Sequence, residues 1–226
     1  MIRPYRVRDV RDYFVGAKSF DYAMTTDKTG VKCIEMIGAS FIADEAAIFG
    51  VPNKEYIEAE IDWYLSGSTN INDIYVDRDP PKAWEYSANR HGEINSNYGH
   101  LIFDDKYFRQ YDNVITELLN NKDSRRACMV YNRPSIWVEY NENGKSDFIC
   151  TNAQTFYIRD NKLHMVSQMR SNDVVFGYKN DYAWAQHLMD RAIDNLNEEG
   201  HNLTKGDLTW QVMNLHVYER HFNLVE

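Results

Sequence analysis

Apolar residues at helical and alternating spacings divide the chain into separate elements. Helical spacing bounded by cap and stop residues, such as Asn53 and Gly67 around the first run, predicts three helices. They cover residues 53–66, 106–119 and about 181–198. Two runs with the β-branched and aromatic content of strands flank them, KCIEMIGASFI at residues 32–42 and LTWQVMNLHVY at residues 208–218.

Between residues 126 and 170 the pattern is that of consecutive strands. Four runs rich in aromatic and β-branched residues, CMVY, SIWVEY, DFICTNAQTFYI and LHMVSQM, are separated by turn-forming pairs such as Asn143-Gly144. A block of strands with helices before and after it predicts an α+β fold with one large mixed sheet and packed helices. Because no repeat or flexible linker interrupts the sequence, residues 1–226 are predicted to form a single domain.

Charge and composition exclude several classes of partner. The 226 residues carry 25 Lys and Arg against 34 Asp and Glu, a net charge of −9, which argues against sequence-independent binding of nucleic acid. No run approaches the roughly 18 apolar residues of a membrane span, and the N-terminal segment is charged. We therefore expect a cytoplasmic protein that is neither secreted nor inserted in a membrane.

Cysteine and histidine spacing gives no sign of a disulfide framework or a metal site. The three cysteines, Cys33, Cys128 and Cys150, lie far apart with no CxxC pair, and the seven histidines form no HExxH motif. We therefore expect reduced thiols and no metal.

Glu60 is out of place on the first predicted helix. A helical wheel puts it in one arc with apolar residues including Tyr56, Trp63 and Tyr64. A carboxylate that faces a core needs partners, and its desolvation raises its pKa toward the range useful for proton transfer. Two interpretations stay open: a proton-transfer group, or a buried structural Glu bonded to backbone or to an arginine.

Cys150 lies in a strand pattern that mixes polar and aromatic side chains on one face, with Asn152, Gln154 and Phe156 at alternate positions. Such a face is more typical of a pocket than of a core. A lone cysteine is usually a small buried hydrophobe, and reactivity needs a nearby cation, which Arg170 is placed to supply.

Two further polar features have two interpretations each, an ordinary structural one and a ligand-binding one. They are the stripe Asn214, His216 and Tyr218 and the pair Arg125-Arg126.

These features resemble the thymidylate synthase family over most of the chain, from DKTG at residue 27 to HVYERHF near the end. The strings EAEIDWYLSGSTNI, DSRR, DFICTN and LHVY occur in the family order and at its approximate spacing. Others, GEINSNYG and SNDVVFGYKNDYAW among them, resemble more closely the phage branch that hydroxymethylates deoxycytidylate (dCMP). The resemblance implies that fold, a homodimer, and 5,10-methylenetetrahydrofolate as co-substrate.

At matching positions the resemblance implies three catalytic roles. Cys150 corresponds to the nucleophile, Glu60 to the proton-transfer carboxylate, and Tyr98 to the tyrosine beside the reacting carbon. The resemblance also implies substrate-binding and folate-binding positions, and it places Arg170 near the catalytic sulfur as well as on the phosphate. They are Lys28, Arg170 and Ser171 for the phosphate, Arg125 and Arg126 for the phosphate of the other subunit, His216 and Tyr218 for the deoxyribose, and Asp173 and Trp84 for folate.

Asp181 stands where thymidylate synthases have the asparagine that reads uracil. Cytosine presents N3 as an acceptor and its N4 amino group as a donor, whereas uracil presents the reverse pattern. An ionised aspartate accepts from N4, and a protonated one also donates to N3. The substitution therefore predicts a cytosine nucleotide, with the protonation state of Asp181 left open.

Alternatives remain within and outside the enzyme class. The sequence also fits a thymidylate synthase, a hydroxymethylase acting on dUMP or CMP, or a catalytically silent nucleotide-binding regulator. The chain ends at Glu226, soon after HVYERHF, where family members usually continue into a tail that closes over folate. We therefore expect that tail to be short or absent.

Overall fold

The computed structural model describes residues 5–27 and 30–226, which form seven α-helices and six strands. The helices are α1 (Val7–Phe20), α2 (Lys54–Ser66), α3 (Lys82–Ser87), α4 (Tyr98–Phe103), α5 (Gln110–Asn120), α6 (Ile136–Glu139) and α7 (Gly177–Glu198). The strands are β1 (Met24–Thr26), β2 (Lys32–Ile42), β3 (Cys128–Val130), β4 (Thr151–Arg159), β5 (Lys162–Asp173) and β6 (Thr204–Tyr218).

The six strands form one sheet in the order β1-β2-β6-β5-β4-β3. Strands β1 and β6 each pair antiparallel with β2, while β5 pairs parallel with β6. The sheet is therefore mixed and carries helices, which confirms the predicted α+β class.

Two compact units divide the described residues. One holds the chain up to Pro52 together with Thr155–Glu226, and its core includes Phe41, Trp184 and Trp210, each at most 1% exposed. The other is Asn53–Gln154, whose core includes Trp63, Leu101, Leu118 and Tyr131.

Local capping signals set the bounds of α2 as the sequence predicts. The Oδ1 atom of Asn53 accepts a hydrogen bond from the backbone N–H of Tyr56 at 3.2 Å. Gly67 ends the helix at φ 71°, in the left-handed region that favours glycine. Strand β2 also has its predicted bounds, whereas α7 and β6 each begin four residues earlier than predicted.

Two predicted elements differ from those observed. The helix predicted from residue 106 begins at Gln110, because Phe108 and Arg109 have φ of 64° and 46° and break the helical path. The run SIWVEY, predicted as a strand, forms α6. Pro134 has no N–H for a sheet, and Trp137 and Val138 are both 72% exposed, so the run buries no alternating face.

The remaining differences concern elements that were not predicted and the start of one strand. No element was predicted for α1, β1, α3 or α4. Strand β4 begins at Thr151, so the segment from Asp147 to Cys150 precedes the strand rather than forming its first half.

Candidate functional site

Glu60 is buried on α2 and is held by neutral donors. Its Oε1 accepts from the Tyr56 hydroxyl and from the Trp84 indole N–H, the latter at 3.1 Å, while the same indole N–H lies 2.9 Å from the Tyr56 oxygen. No cation takes part in these contacts. Burial raises the pKa of Glu60 to about 7, and the two hydrogen bonds oppose that rise. Glu60 can therefore exchange a proton near neutral pH.

The indole ring of Trp84 lies beside the carboxyl group of Glu60. It is half-buried on α3, and its ring lies edge-on to Trp63 with centroids 5.1 Å apart. Burial and the charge of Glu60 raise the pKa of the Tyr56 phenol, so Tyr56 stays a donor. Glu60 is thus 5% exposed and lies against the aromatic side chains of Tyr56 and Trp84.

Tyr98 begins α4 and is packed between two other tyrosines. Its ring stacks on Tyr64 with centroids 5.2 Å apart and meets Tyr131 edge-on at 5.3 Å. The next residue, Gly99, has no room for a side chain, since a Cβ there would lie 1.8 Å from the carbonyl oxygen of Tyr64. α2 and α4 therefore approach closely enough to fix Tyr98 relative to the helix that carries Glu60.

Cys150 is half-buried and lies just before β4. Its thiol is 3.9 Å from the carbonyl oxygen of Phe148, to which it donates. Cys33 is buried in β2, Cys128 is half-buried in β3, and all three cysteines are unbridged. Cys128 and Cys150 both lie in the compact unit that holds Glu60 and Tyr98, but Cys128 is part of β3 whereas Cys150 is in the loop before β4.

Asp147, which the sequence analysis did not single out, fixes the loop before Cys150. Its carboxylate is 6% exposed and accepts from the backbone N–H of Asn95 at 2.6 Å and of Ser96 at 2.8 Å, and from the Ser96 hydroxyl at 2.7 Å. Asn95 in turn donates from its side chain to the carbonyl oxygens of Glu139 and Asp147.

Asn97 links the same turn to α2. Its Oδ1 caps α4 by accepting from the N–H of His100, and its Nδ2 donates to the carbonyl oxygens of Trp63 and Ser68. The tripeptide Asn95-Ser96-Asn97 thus joins the segments that carry Glu60, Tyr98 and Cys150. The sequence offered one sign of these contacts, the aspartate Asp147 at the start of the otherwise apolar run DFIC.

Arg125 and Arg126 are exposed in the loop before β3. Arg126 nevertheless has a fixed partner, because Glu117 on α5 accepts from its guanidinium at 3.1 Å. The Ser124 hydroxyl also donates to Glu117, and these two hydrogen bonds hold the pKa of Glu117 below its ordinary value. Glu117 therefore holds the exposed guanidinium of Arg126 in a defined position.

In the other compact unit, the predicted ligand-binding residues meet where β5 and β6 end. Asp173 is opposite His216 in the register, and Ser171 is opposite Asn214. The rings of His216 and Tyr218 lie edge-on with centroids 5.0 Å apart. Arg170, one residue before Ser171 on β5, is half-buried.

Asp173 has one satisfied and one unsatisfied oxygen. Oδ1 accepts from the backbone N–H groups of Val175 and Phe176 at 2.9 and 2.7 Å. Oδ2 is buried and has no hydrogen-bond partner among the described residues. A buried acceptor of this kind fits a ligand with N–H donors, which the pterin ring of a folate provides.

Asp181 lies on α7 within reach of β5. The side-chain Nδ2 of Asn172 donates to its Oδ2 at 2.7 Å. Asn172 is buried and also accepts from the indole N–H of Trp210 at 3.3 Å. Sequence analysis identified Asp181 and missed Asn172, whose polar neighbours in RSND gave no separate signal.

Three further expectations concern the phosphate-binding lysine, metal ions and membrane spans. Lys28, predicted to bind phosphate, lies outside the described residues. In the described ranges, no group of three or more His, Cys, Asp or Glu side chains is arranged to hold a metal ion. Among the helices in those ranges, none combines the length and apolar character needed to cross a bilayer.

Comparison with known proteins matches residues 23–226 to the thymidylate synthase family. The deoxycytidylate 5-hydroxymethyltransferases of Enterobacteria phages T4 and T2 are each 50% identical over 202 residues, which span 88% of this chain and 81% of theirs. A thymidylate synthase of Vesicomyosocius okutanii subsp. Calyptogena okutanii (strain HA) is 25% identical over 214 residues, 89% of this chain and 75% of its own. The crystal structure of the T4 phage thymidylate synthase shares the fold, with a TM-score of 0.77 at 23% identity over 96% of this chain and 78% of that one.

Proposed function

Since the chain belongs to the thymidylate synthase family, we propose that it hydroxymethylates dCMP, taking the one-carbon unit from 5,10-methylenetetrahydrofolate and releasing tetrahydrofolate. The observation that carries this proposal is the 50% identity to phage deoxycytidylate 5-hydroxymethyltransferases over 88% of the chain. The presence of Asp181 at the base-reading position agrees with it. The ordinary thymidylate synthase at 25% identity is a more distant match.

Asp181 gives the proposal its choice of base. A carboxylate accepts from the N4 amino group of cytosine and would face the O4 acceptor of uracil without a donor. Sites that leave a buried polar group unpaired discriminate against the wrong ligand by several powers of ten. dCMP is therefore the substrate, with dUMP rejected at this contact.

Cys150 is the nucleophile of the proposed reaction. Its thiolate adds to C6 of the cytosine ring, and the electron pair of the C5–C6 bond makes C5 a carbon nucleophile. C5 then forms a bond to the one-carbon unit and later loses its proton. After the amine of tetrahydrofolate leaves, the exocyclic methylene group takes up water, and the sulfur departs from C6.

Glu60 holds the water and moves the protons. A carboxyl group with a pKa of about 7 is close to half ionised at neutral pH, so it can both accept a proton from water and return one to the ring. Tyr98 is placed beside C5 in this arrangement. Asp173 and Trp84 take the folate, Asp173 through its buried Oδ2 and Trp84 through its ring.

The anionic and sugar groups of dCMP are assigned to the remaining predicted residues. Arg170 and Ser171, with Lys28, bind the phosphate, and His216 with Tyr218 binds the deoxyribose. The exposed Arg125 and Arg126 reach the phosphate in the site of a second copy, which makes the working form a homodimer. Because these relatives come from phages, we place the reaction in the cytoplasm of an infected bacterium, in the supply of modified DNA precursors.

The experiment that tests this function is product analysis with three nucleotides. The purified protein is incubated with methylenetetrahydrofolate and dCMP, dUMP or CMP, and the products are identified by mass. We expect 5-hydroxymethyl-dCMP and tetrahydrofolate from dCMP and little product from dUMP, and the CMP reaction measures whether a ribose is accepted. A methylated product with dihydrofolate would instead indicate a thymidylate synthase type of reaction, and binding without turnover would indicate a regulator.

A further inference from the structure

Three side chains in the unit that contains α7 form a hydrogen-bonded row that ends at Asp181. Trp210 on β6 donates from Nε1 to Oδ1 of Asn172 on β5, at 3.3 Å, and Asn172 donates from Nδ2 to Oδ2 of Asp181, at 2.7 Å. Trp210 is fully buried and Asn172 is 4% exposed. We call these three residues the Trp210-Asn172-Asp181 row.

The chemistry of the row fixes its direction. An indole has a donor and no acceptor, so the Asn172 atom that faces Trp210 has to be the amide oxygen. The amide nitrogen then faces residue 181 and offers it a donor. Reversing the amide would put two donors together at Trp210 and two acceptors together at Asp181, and each such buried mismatch destabilises the fold.

Gly177, at the start of α7, leaves room for this arrangement. A Cβ at this position would lie 3.0 Å from Nδ2 of Asn172 and 3.8 Å from Oδ2 of Asp181. A side chain there would press on the amide nitrogen that donates to Asp181. The absence of a side chain at Gly177 thus lets α7 approach β5 closely enough for the contact between Asn172 and Asp181.

We propose that Asn172 is a specificity-determining positioning residue, which sets the donor and acceptor pattern that residue 181 presents to the pyrimidine. The proposal rests on the function proposed above, in which residue 181 reads the base. Asn172 engages Oδ2 as an acceptor, and we assign the base contact to Oδ1. Any proton that Asp181 carries then lies on the oxygen that faces the base.

An asparagine at position 181 makes the effect of Asn172 visible. With Asn172 in place, the new amide accepts through its oxygen and turns its N–H₂ group to the base, which suits O4 of uracil. With aspartate at position 172, the new amide instead donates to that carboxylate and turns its oxygen to the base, which suits N4 of cytosine. Trp210 donates equally well to an amide or a carboxylate oxygen.

The test compares the ratio of kcat/KM for dCMP to kcat/KM for dUMP in three proteins, the unmodified enzyme, Asp181→Asn, and the double variant Asn172→Asp/Asp181→Asn. Asp181→Asn is expected to lower the ratio by about 100-fold or more. The double variant is expected to raise it again by about tenfold or more over Asp181→Asn, equivalent to one well-placed hydrogen bond. Exposed Asn141, changed to Asp in the Asp181→Asn background, is the matched control and is expected to leave the ratio of that background unchanged.

A second variant covers the case in which the double variant does not fold, as judged by its thermal unfolding. Asn172→Ala/Asp181→Asn removes the partner that orients the new amide, and its ratio is expected to exceed that of Asp181→Asn by at least about threefold. If Asp181→Asn moves the ratio toward dUMP but both double variants keep its value, the role of Asn172 is refuted. If Asp181→Asn does not move the ratio, residue 181 does not read the base, and the proposal falls together with that part of the function.

Discussion

The carboxylate of Asp147 and residue Ser96 are joined by two hydrogen bonds, 2.8 Å to the backbone N–H and 2.7 Å to the hydroxyl, across 51 positions of sequence. These two hydrogen bonds join the turn before Tyr98 to the loop before Cys150. Cys150, the proposed nucleophile, and Tyr98, proposed to lie beside the reacting carbon, are thus held by one buried carboxylate within one compact unit.

Asp147→Asn should weaken both the fold and the catalytic geometry. Oδ2 of Asp147 accepts from both backbone N–H groups and Oδ1 accepts from the Ser96 hydroxyl. An amide that keeps its oxygen toward the backbone turns its N–H₂ group to that hydroxyl and removes the acceptor there, so we expect a loss of about 1–3 kcal/mol in the free energy of unfolding. The kcat for dCMP should fall more than the affinity for dCMP. Denaturant unfolding and steady-state kinetics measure the two effects, with exposed Asp62→Asn as the control. Unchanged stability and kcat would contradict this role.

Glu60 should make folding weaker as pH rises through neutrality. Its pKa is about 7 in the folded protein and near 4.5 when unfolded, so the folded state binds the proton more tightly. The resulting stability is present below pH 4.5 and is lost as pH rises through 7, by about 3 kcal/mol in total. Between pH 4.5 and pH 8, the free energy of unfolding of the unmodified protein should fall more than that of Glu60→Gln. An equal fall in the two proteins would contradict this assignment. Glu58→Gln, exposed on the opposite face of α2, should behave as the unmodified protein does.

Two inactive variants should restore activity when mixed. Cys150→Ser removes the nucleophile, and Arg126→Ala removes a cation that we assign to the site of the other subunit. Each variant alone should have very low activity on dCMP. After random exchange of subunits in an equal mixture, about a quarter of the sites are expected to contain both native groups. Activity that remains absent after exchange, shown by mass-tagged subunits, would argue against shared sites.

Gly99→Ala should disrupt the contact between α2 and α4. The added Cβ would lie 1.8 Å from the carbonyl oxygen of Tyr64, and backbone cannot yield as a flexible side chain can. We expect destabilisation of more than about 3 kcal/mol, measured by chemical unfolding. Gly16→Ala is the control, because its Cβ would meet only the mobile end of Tyr22, at 3.0 Å. Equal effects of the two substitutions would contradict the packing described.

Local signals predicted those elements whose ends depend on neighbouring residues. Asn53 and Gly67 set the ends of α2, and the burial of Glu60 followed from helical spacing alone. SIWVEY misled because its composition resembles a strand while its surroundings leave Trp137 and Val138 exposed.

The polar contacts around the candidate site could not be predicted in the same way. Asp147 meets Asn95 and Ser96 about fifty positions away, and Asn172 meets Asp181 only because α7 turns back on β5. Such contacts depend on tertiary structure, and no periodicity in the sequence records them. The resemblance to a known family, rather than spacing, identified Asp181 and assigned Arg126 to the site of the other subunit.

The two hydrogen bonds to Glu60 have a directional consequence. Both the Tyr56 hydroxyl and the Trp84 indole donate to Oε1, which favours Oε1 as the carbonyl oxygen of the neutral acid. The acidic proton then belongs to Oε2. Only Oε2 of Glu60 then exchanges the proton. In the proposed reaction, the activated water therefore has to approach from the Oε2 side, which restricts the path along which the hydroxyl group is delivered.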